Sequence, residues 1–238
     1  MNISIVTTAQ ECQNMDFSHR VAIVIDVFRA TTVITTAIEH GAKSVIPMRT
    51  PAEVAKADPN SFRHPIVRGG ECNSLKIKGF DLGNSPEEYS HKMVAGKDVL
   101  LTTSNGTLAI TNAANADKVI IACLRNAPAV AEYLLTLEQD FTFVCSGDEG
   151  KLDLNDCLCA GLIINLLAQR SFVDMDDLGT MLSRYAMQCG NNIMSLGIES
   201  SHVKNLMTLG FHNDIIYCFE TGKSKVIPVY RNGKIVKL

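Results

Sequence analysis

Continuous runs of β-branched and other apolar residues recur along the chain, separated by stretches with helical spacing. ISIV near the start, VAIVIDV at 21–27, SVIPM at 44–48, PIVRG at 65–69, DVLLT at 98–102, KVIIAC at 118–123 and FTFVC at 141–145 predict strands buried on both faces. Helical patterning occupies 30–40, 86–93, 107–114, 128–137 and 154–170. Alternation of this kind predicts helices on both faces of a largely parallel sheet. Pro128 suits a first helical position and Gly41 a C-terminal cap. Beyond Arg170 the pattern is mostly helical through 175–188 and 199–209, with a short helix predicted after Asn213. KVIPVY and KIVKL then flank Asn232-Gly233, a favoured hairpin turn. That hairpin predicts an antiparallel edge, which makes the sheet mixed. No repeat or linker divides the 238 residues, so one domain spanning 1–238 is expected.

Composition narrows the function classes. With 46% apolar residues the chain can bury a substantial core, and its net charge of -3 leaves no basic surplus for a nucleic-acid backbone. Nucleic acid is therefore not an expected partner. No apolar run approaches membrane-spanning length, and NISIVTT is a strand pattern rather than a leader, so a cytoplasmic protein without membrane contact is expected. Eight cysteines sit mostly in apolar stretches and read as reduced core thiols. Cys157 and Cys159 lack the second pair that a zinc site needs. Nothing decides between a monomer and a homo-oligomer.

Four strand-to-helix junctions are rich in small polar residues, the places where α/β sheets bind ligands. DVFRATT at 26–32 puts a carboxylate at a strand end, Arg29 three residues later, and Thr31 and Thr32 at a helix start. That set can hold a metal and a phosphate, or merely cap a helix. TTSNGT at 102–107 is a phosphate-binding turn or a plain cap. CSGDEG at 145–150 leads into LNDCLCAG, crowding Asp148, Glu149, Asp153 and Asp156 together; this reads either as a cation site or as a solvated acidic loop. Residues 69–89 form a long stretch ending in a helix-start signal at Asn84-Ser85-Pro86-Glu87.

Familiar phosphatase chemistries do not fit these residues. A cysteine phosphatase needs an Arg after a five-residue loop, but Cys145 is followed by SGDEG and Lys151, where the acidic pair would repel phosphate. An aspartyl-phosphate enzyme needs a second Asp at position 28, which is Phe. No GxGxxG follows any strand, which argues against a Rossmann oxidoreductase. Taken in order, however, IDVFRATT, GFDLGNSPEEY, LTTSNGT, CSGDEG with NDCLCAG, and SSHVKNLMTLGFHNDI before VIPVY resemble the 2-phosphosulfolactate phosphatase, ComB-like, family. The resemblance runs from about Val21 to Tyr230.

It implies a three-layer α/β/α sandwich around a mixed, largely parallel sheet with a C-terminal hairpin. It also implies a Mg²⁺-dependent phosphatase converting 2-phospho-3-sulfolactate to 3-sulfolactate and phosphate in coenzyme M biosynthesis. The chain departs from the family pattern at Cys72 for Arg, Ser104 for Thr and Asn155 for Glu. On this reading Asp26 is a metal ligand or base, and Glu71, Asp148 and Asp156 are further metal carboxylates. Arg29, Thr31, Thr32, Asn105, Gly106, Thr107, Ser146 and Gly147 are candidate phosphate contacts. Arg68, Asn84 and Ser85 would meet the other anionic groups of a sulfonated or carboxylated substrate. His202 is a candidate to protonate a leaving alkoxide, or else a histidine that caps or packs. The alternatives are a phosphatase of another phosphorylated hydroxy acid and a non-catalytic anion-binding protein.

Overall fold

The structure is a computed structural model describing residues 1–189 and 192–238, apart from the side chain of Cys189. Among the described residues the apolar runs become β1 (Asn2–Val6), β2 (Arg20–Ile25), β3 (Ser44–Pro47), β4 (Ile66–Cys72), β5 (Leu75–Lys76), β6 (Asp98–Thr102), β7 (Lys118–Ala122), β8 (Asp140–Cys145), β9 (Asp174–Met175), β10 (Pro228–Arg231) and β11 (Lys234–Lys237). The helices are α1 (Ala30–Glu39), α2 (Pro51–Lys56), α3 (His91–Val94), α4 (Gly106–Asn112), α5 (Ala127–Leu134), α6 (Leu154–Ala168), α7 (Asp177–Cys189), α8 (Ile193–Gly197), α9 (Ser201–Thr208) and α10 (His212–Phe219). Successive strand residues face opposite sides of the sheet. Val21, Ile23 and Ile25 of β2 pack with Phe141 and Phe143 of β8 against Val130 of α5 and Leu158 of α6. Ala22 and Val24 turn to the other face, against Val33 and Ile34 of α1 and Ile110 of α4. Helices thus cover both sides of one mixed, mostly parallel sheet.

The strand order is β5-β4-β6-β3-β11-β10-β7-β2-β8-β1-β9. The expected C-terminal hairpin is present, turning on Asn232 and Gly233 with both φ positive, but it does not form an edge. β10 pairs antiparallel with β7 and β11 antiparallel with β3, so the hairpin stands inside the sheet and joins two parallel blocks. Each block would otherwise leave a row of unpaired backbone groups at its open side, and the hairpin satisfies both rows. Val229 and Ile235 are accordingly buried.

The three antiparallel pairings across β7, β10, β11 and β3 reverse the chain direction, so the β3, β6 and β4 block runs against the β7, β2, β8 and β1 block. Five strand steps separate β6 from β2, and twist of about 20–25° per step removes roughly 100–125° of that reversal. This allows the loops after β6 and β2 to meet.

Two further local expectations are revised. The helix at 86–93 is a 3₁₀ turn (Pro86–Glu88) followed by α3, because the buried Tyr89, whose hydroxyl donates to Gly83 O, stands between them. The capped helix α2, where Thr50 accepts from Glu53 N and Pro51 takes the first turn, was not anticipated. No helix among the described residues is long and apolar enough to cross a membrane.

Candidate active site

The junction after β2 is tied by its own hydroxyls. Thr31 Oγ1 donates to Asp26 O (2.7 Å) and accepts from Asp26 N (3.0 Å), while Thr32 Oγ1 donates to Val27 O (2.9 Å). Asp26 Oδ1 accepts from Ala30 N at 3.1 Å, at the start of α1. Its other oxygen faces the first turn of α4, where a Cβ on Gly106 would lie 2.6 Å from Oδ2 and 2.5 Å from Ala30 Cβ. Only glycine allows α4 to stand that close. Burial pushes the Asp26 pKa up to about 7; His202 and the Ala30 N–H work against this, and the Asp153 and Glu71 charges add to it.

Asp156, in the first turn of α6, is buried and accepts from Val27 N (2.8 Å), Ser146 N (3.1 Å) and Gly147 N (3.1 Å). It therefore fastens the end of β2 to the end of β8. Burial, then the Asp153 and Asp26 charges, holds its pKa well above the usual carboxylate range. Downstream, Asp148 and Lys151 exchange backbone hydrogen bonds (2.8 and 2.9 Å) around Glu149 and Gly150, both at positive φ. That tight turn presents Asp148 and Glu149 to the same space as Asp26.

The opposite wall is the β4–β5 hairpin, whose turn residues Asn73 and Ser74 both have positive φ. Glu71 accepts from Ser104 N (2.7 Å) and Ser74 N (2.8 Å), so it joins this hairpin to the loop after β6. Arg29 donates to Asp214 Oδ2 (2.7 Å) and Ser74 O (2.6 Å), with its guanidinium 4.1 Å from the Phe211 ring centre. Ser85 Oγ donates to the other oxygen of Asp214 (2.6 Å). The Arg29 fork thus latches the start of α1 to α10 and to the hairpin.

Between these walls lies a cavity of about 370 Å³ lined by Asp26, Phe28, Arg29, Glu71, Asn73, Ser74, Asn84, Thr103, Ser104, Asn105, Asp148, Glu149, His202, Asn205 and Leu209. It is acidic: four carboxylates face one guanidinium that is already paired. The volume suits a small-molecule ligand. His202 Nδ1 lies 3.0 Å from Asp153 Oδ2. Burial opposes the imidazolium, but the Asp153 hydrogen bond and the Asp153, Asp148 and Asp26 charges outweigh it and raise the His202 pKa.

Residues 6–233 match the family described as 2-phosphosulpholactate phosphatase. The chain belongs to that family. It is 37% identical over 239 residues, covering both chains completely, to a protein of Clostridium botulinum (strain Alaska E43 / Type E3) named probable 2-phosphosulfolactate phosphatase. A protein of that name from Symbiobacterium thermophilum is 38% identical over 224 residues, 94% of this chain and 96% of its own. Another, from Caldanaerobacter subterraneus subsp. tengcongensis, is 38% identical over 226 residues, 95% and 94% of the two chains.

Within this member of the 2-phosphosulpholactate phosphatase family, Asp26, Arg29, Glu71, Asn84, Asn105, Asp148 and His202 share one cavity. Thr31, Thr32, Ser85, Gly106, Thr107, Ser146, Gly147 and Asp156 stand behind its walls, where most act on backbone or buried partners. Thr107 Oγ1, for example, donates to Thr103 O at 2.9 Å. Arg68 lies elsewhere, donating to Val54 O (3.1 Å) and Ala57 O (2.9 Å) under α2. Asn155 does not reach the cavity: its Nδ2 donates to Ser200 Oγ at 2.9 Å. The four crowded carboxylates are divided, since Asp148 and Glu149 face the cavity, Asp153 caps α6 and Asp156 binds backbone. Sequence reasoning passed over Asn73 and Ser74, and named Asp153 only as one of four crowded carboxylates. The first two carried a signal as a turn pair and the third as a helix cap.

Proposed function

We infer that this chain is a phosphatase of a small phosphorylated hydroxy acid, and that 2-phosphosulfolactate, in the names of its relatives, is the substrate. The supporting observation is Asp26, a buried carboxylate on the wall of an acidic cavity built from the family's own motifs. An anionic ester entering among Asp26, Glu71, Asp148 and Glu149 requires a cation. The Arg29 guanidinium is held by Asp214 and Ser74 O.

Magnesium fits this donor set. Among the described residues no three His, Cys, Asp or Glu side chains form a ready cage, but Mg²⁺ commonly takes one or two carboxylates, several waters and the substrate's phosphate oxygens. Asp26, Glu71 and Asp148 are the residues that would hold it. When bound there it supplies neutralisation of phosphoryl charge and a more acidic bound water. The chain's own residues position the ester. Asn84, whose Oδ1 is buried with no partner among the described residues, and the Ser104–Asn105 loop offer polar contacts, while Phe28 and Leu209 narrow the space. Formation of 3-sulfolactate for coenzyme M is the pathway that the proposed reaction would serve.

Phosphate release from phosphosulfolactate, measured with Mg²⁺ and then with chelator, tests this reading. Turnover should appear with the metal, vanish on chelation and return on re-addition. Absence of release from phosphosulfolactate, phospholactate and related esters at any Mg²⁺ concentration would overturn it.

A further inference from the structure

Asp153 Oδ2 and His202 Nδ1 lie 3.0 Å apart beside the cavity. We propose that the two form a proton-donating dyad in which Asp153 orients the imidazole and His202 Nε2 delivers a proton to the leaving alkoxide. The inference rests on the phosphatase reading and adds to it a positioning residue that neither the sequence motifs nor the relatives' names single out.

Both oxygens of Asp153 are engaged. Oδ1 accepts from Asn155 N (2.7 Å) and Asp156 N (3.2 Å), capping α6, while Oδ2 meets His202 Nδ1 at 3.0 Å. The carboxylate therefore cannot rotate away from the ring. A second bond runs parallel to it: Asn155 Nδ2 donates to Ser200 Oγ, and Ser200 Oγ accepts from Val203 N at 3.1 Å. The start of α6 and the start of α9 are thus clamped at two points, and His202 stands in the clamped turn. Phe28, two residues beyond Asp26, sets its edge against the His202 ring, with centroids 6.4 Å apart.

A carboxylate at Nδ1 requires the proton on that nitrogen and leaves Nε2 for the cavity. His202 lines the cavity with Asp26 and Asp148, while Asp153 is buried behind it. In the step, water oxygen forms the new P–O bond and its proton passes to solvent water. The ester P–O bond breaks with its electron pair remaining on the leaving oxygen, which takes the Nε2 proton to become the free hydroxyl. His202 then regains a proton from solvent.

A general acid matters when the leaving group is a poor one and hardly at all when the leaving anion is stable. The test compares phosphosulfolactate, an alkyl ester, with p-nitrophenyl phosphate in the Mg²⁺-loaded enzyme. H202Q and D153N should lose roughly 10²–10⁴-fold in kcat on the alkyl ester and less than about tenfold on the aryl ester. Asparagine still caps α6, so D153N keeps the helix start while turning an amide toward Nδ1. Equal losses on both esters, or no loss on the alkyl ester, would overturn the dyad and leave the phosphatase reading intact. Failure of the unmutated enzyme on phosphosulfolactate, phospholactate and related esters would overturn that reading as well. Imidazole ¹⁵N spectra give a check independent of turnover: neutral His202 should carry its proton on Nδ1, and the opposite tautomer would refute the arrangement.

Discussion

Asp26 is held by geometry at a cost to stability. Its ordinary pKa is 3.8 and burial raises it to about 7. Between those values the folded protein keeps a proton that the unfolded chain has released, so this residue's contribution to stability falls as pH rises through the window. In chelator, Asp26→Asn should therefore match the unmutated protein below about pH 4 and melt at a higher temperature above about pH 7. A melting-temperature difference that does not change with pH would contradict this. In Mg²⁺ the same variant should lose turnover by on the order of 10²–10⁴-fold, a trade between activity and stability common at functional sites. Asp156 behaves differently, because its carboxylate accepts from three backbone donors. Asp156→Ala leaves those buried N–H groups unpaired and should lower unfolding free energy by about 3 kcal/mol or more, read from urea denaturation. A change under about 1 kcal/mol would show that water can replace the carboxylate.

At the scale of elements, the site depends on how closely helix starts approach strand ends. The first turn of α4 reaches Asp26 only because position 106 lacks a side chain. Gly106→Ala would press against Ala30 in the first turn of α1, and neither backbone can move without shifting its strand. We expect a loss of about 1–3 kcal/mol in stability together with reduced turnover, measured by denaturant melts and phosphate release on one preparation. Full activity in that variant would mean that α1 and α4 can separate freely. The Asp153–His202 and Asn155–Ser200 bonds similarly join α6 to α9, two helices 32 residues apart between their ends at Ala168 and Ser201. Nothing local to either helix discloses that pairing.

Across the whole molecule, the hairpin β10–β11 is the seam of the sheet. Deleting residues 228–238 would expose the facing sides of β7 and β3 and divide the β-layer into two blocks. Loss of a cooperative thermal transition is expected, followed by circular dichroism. An edge hairpin could be removed with a smaller penalty, so retention of a sharp transition would contradict the central placement.

The sequence by itself determined the α/β class, nearly all the long strands, the Asn232-Gly233 turn and the motifs that carry the family. These are local properties: apolar runs mark buried strands, and a turn pair needs positive φ whatever surrounds it. It also marked Asp26 and Asp148 as carboxylates at strand-to-helix junctions, and the family resemblance added Glu71 and His202. Only the tertiary structure decided which of the junction residues face the cavity. Thr31 and Thr32 bond back to the strand end, Asp156 takes backbone donors, Arg68 goes to α2, and the side chains that replace them at the site, Asn73, Ser74 and Glu149, come from tight turns. Sequence spacing states which residue types are adjacent along the chain. Their direction depends on pairing across the sheet, on its twist and on a hairpin from the far end of the chain, and those are long-range interactions that no local pattern encodes.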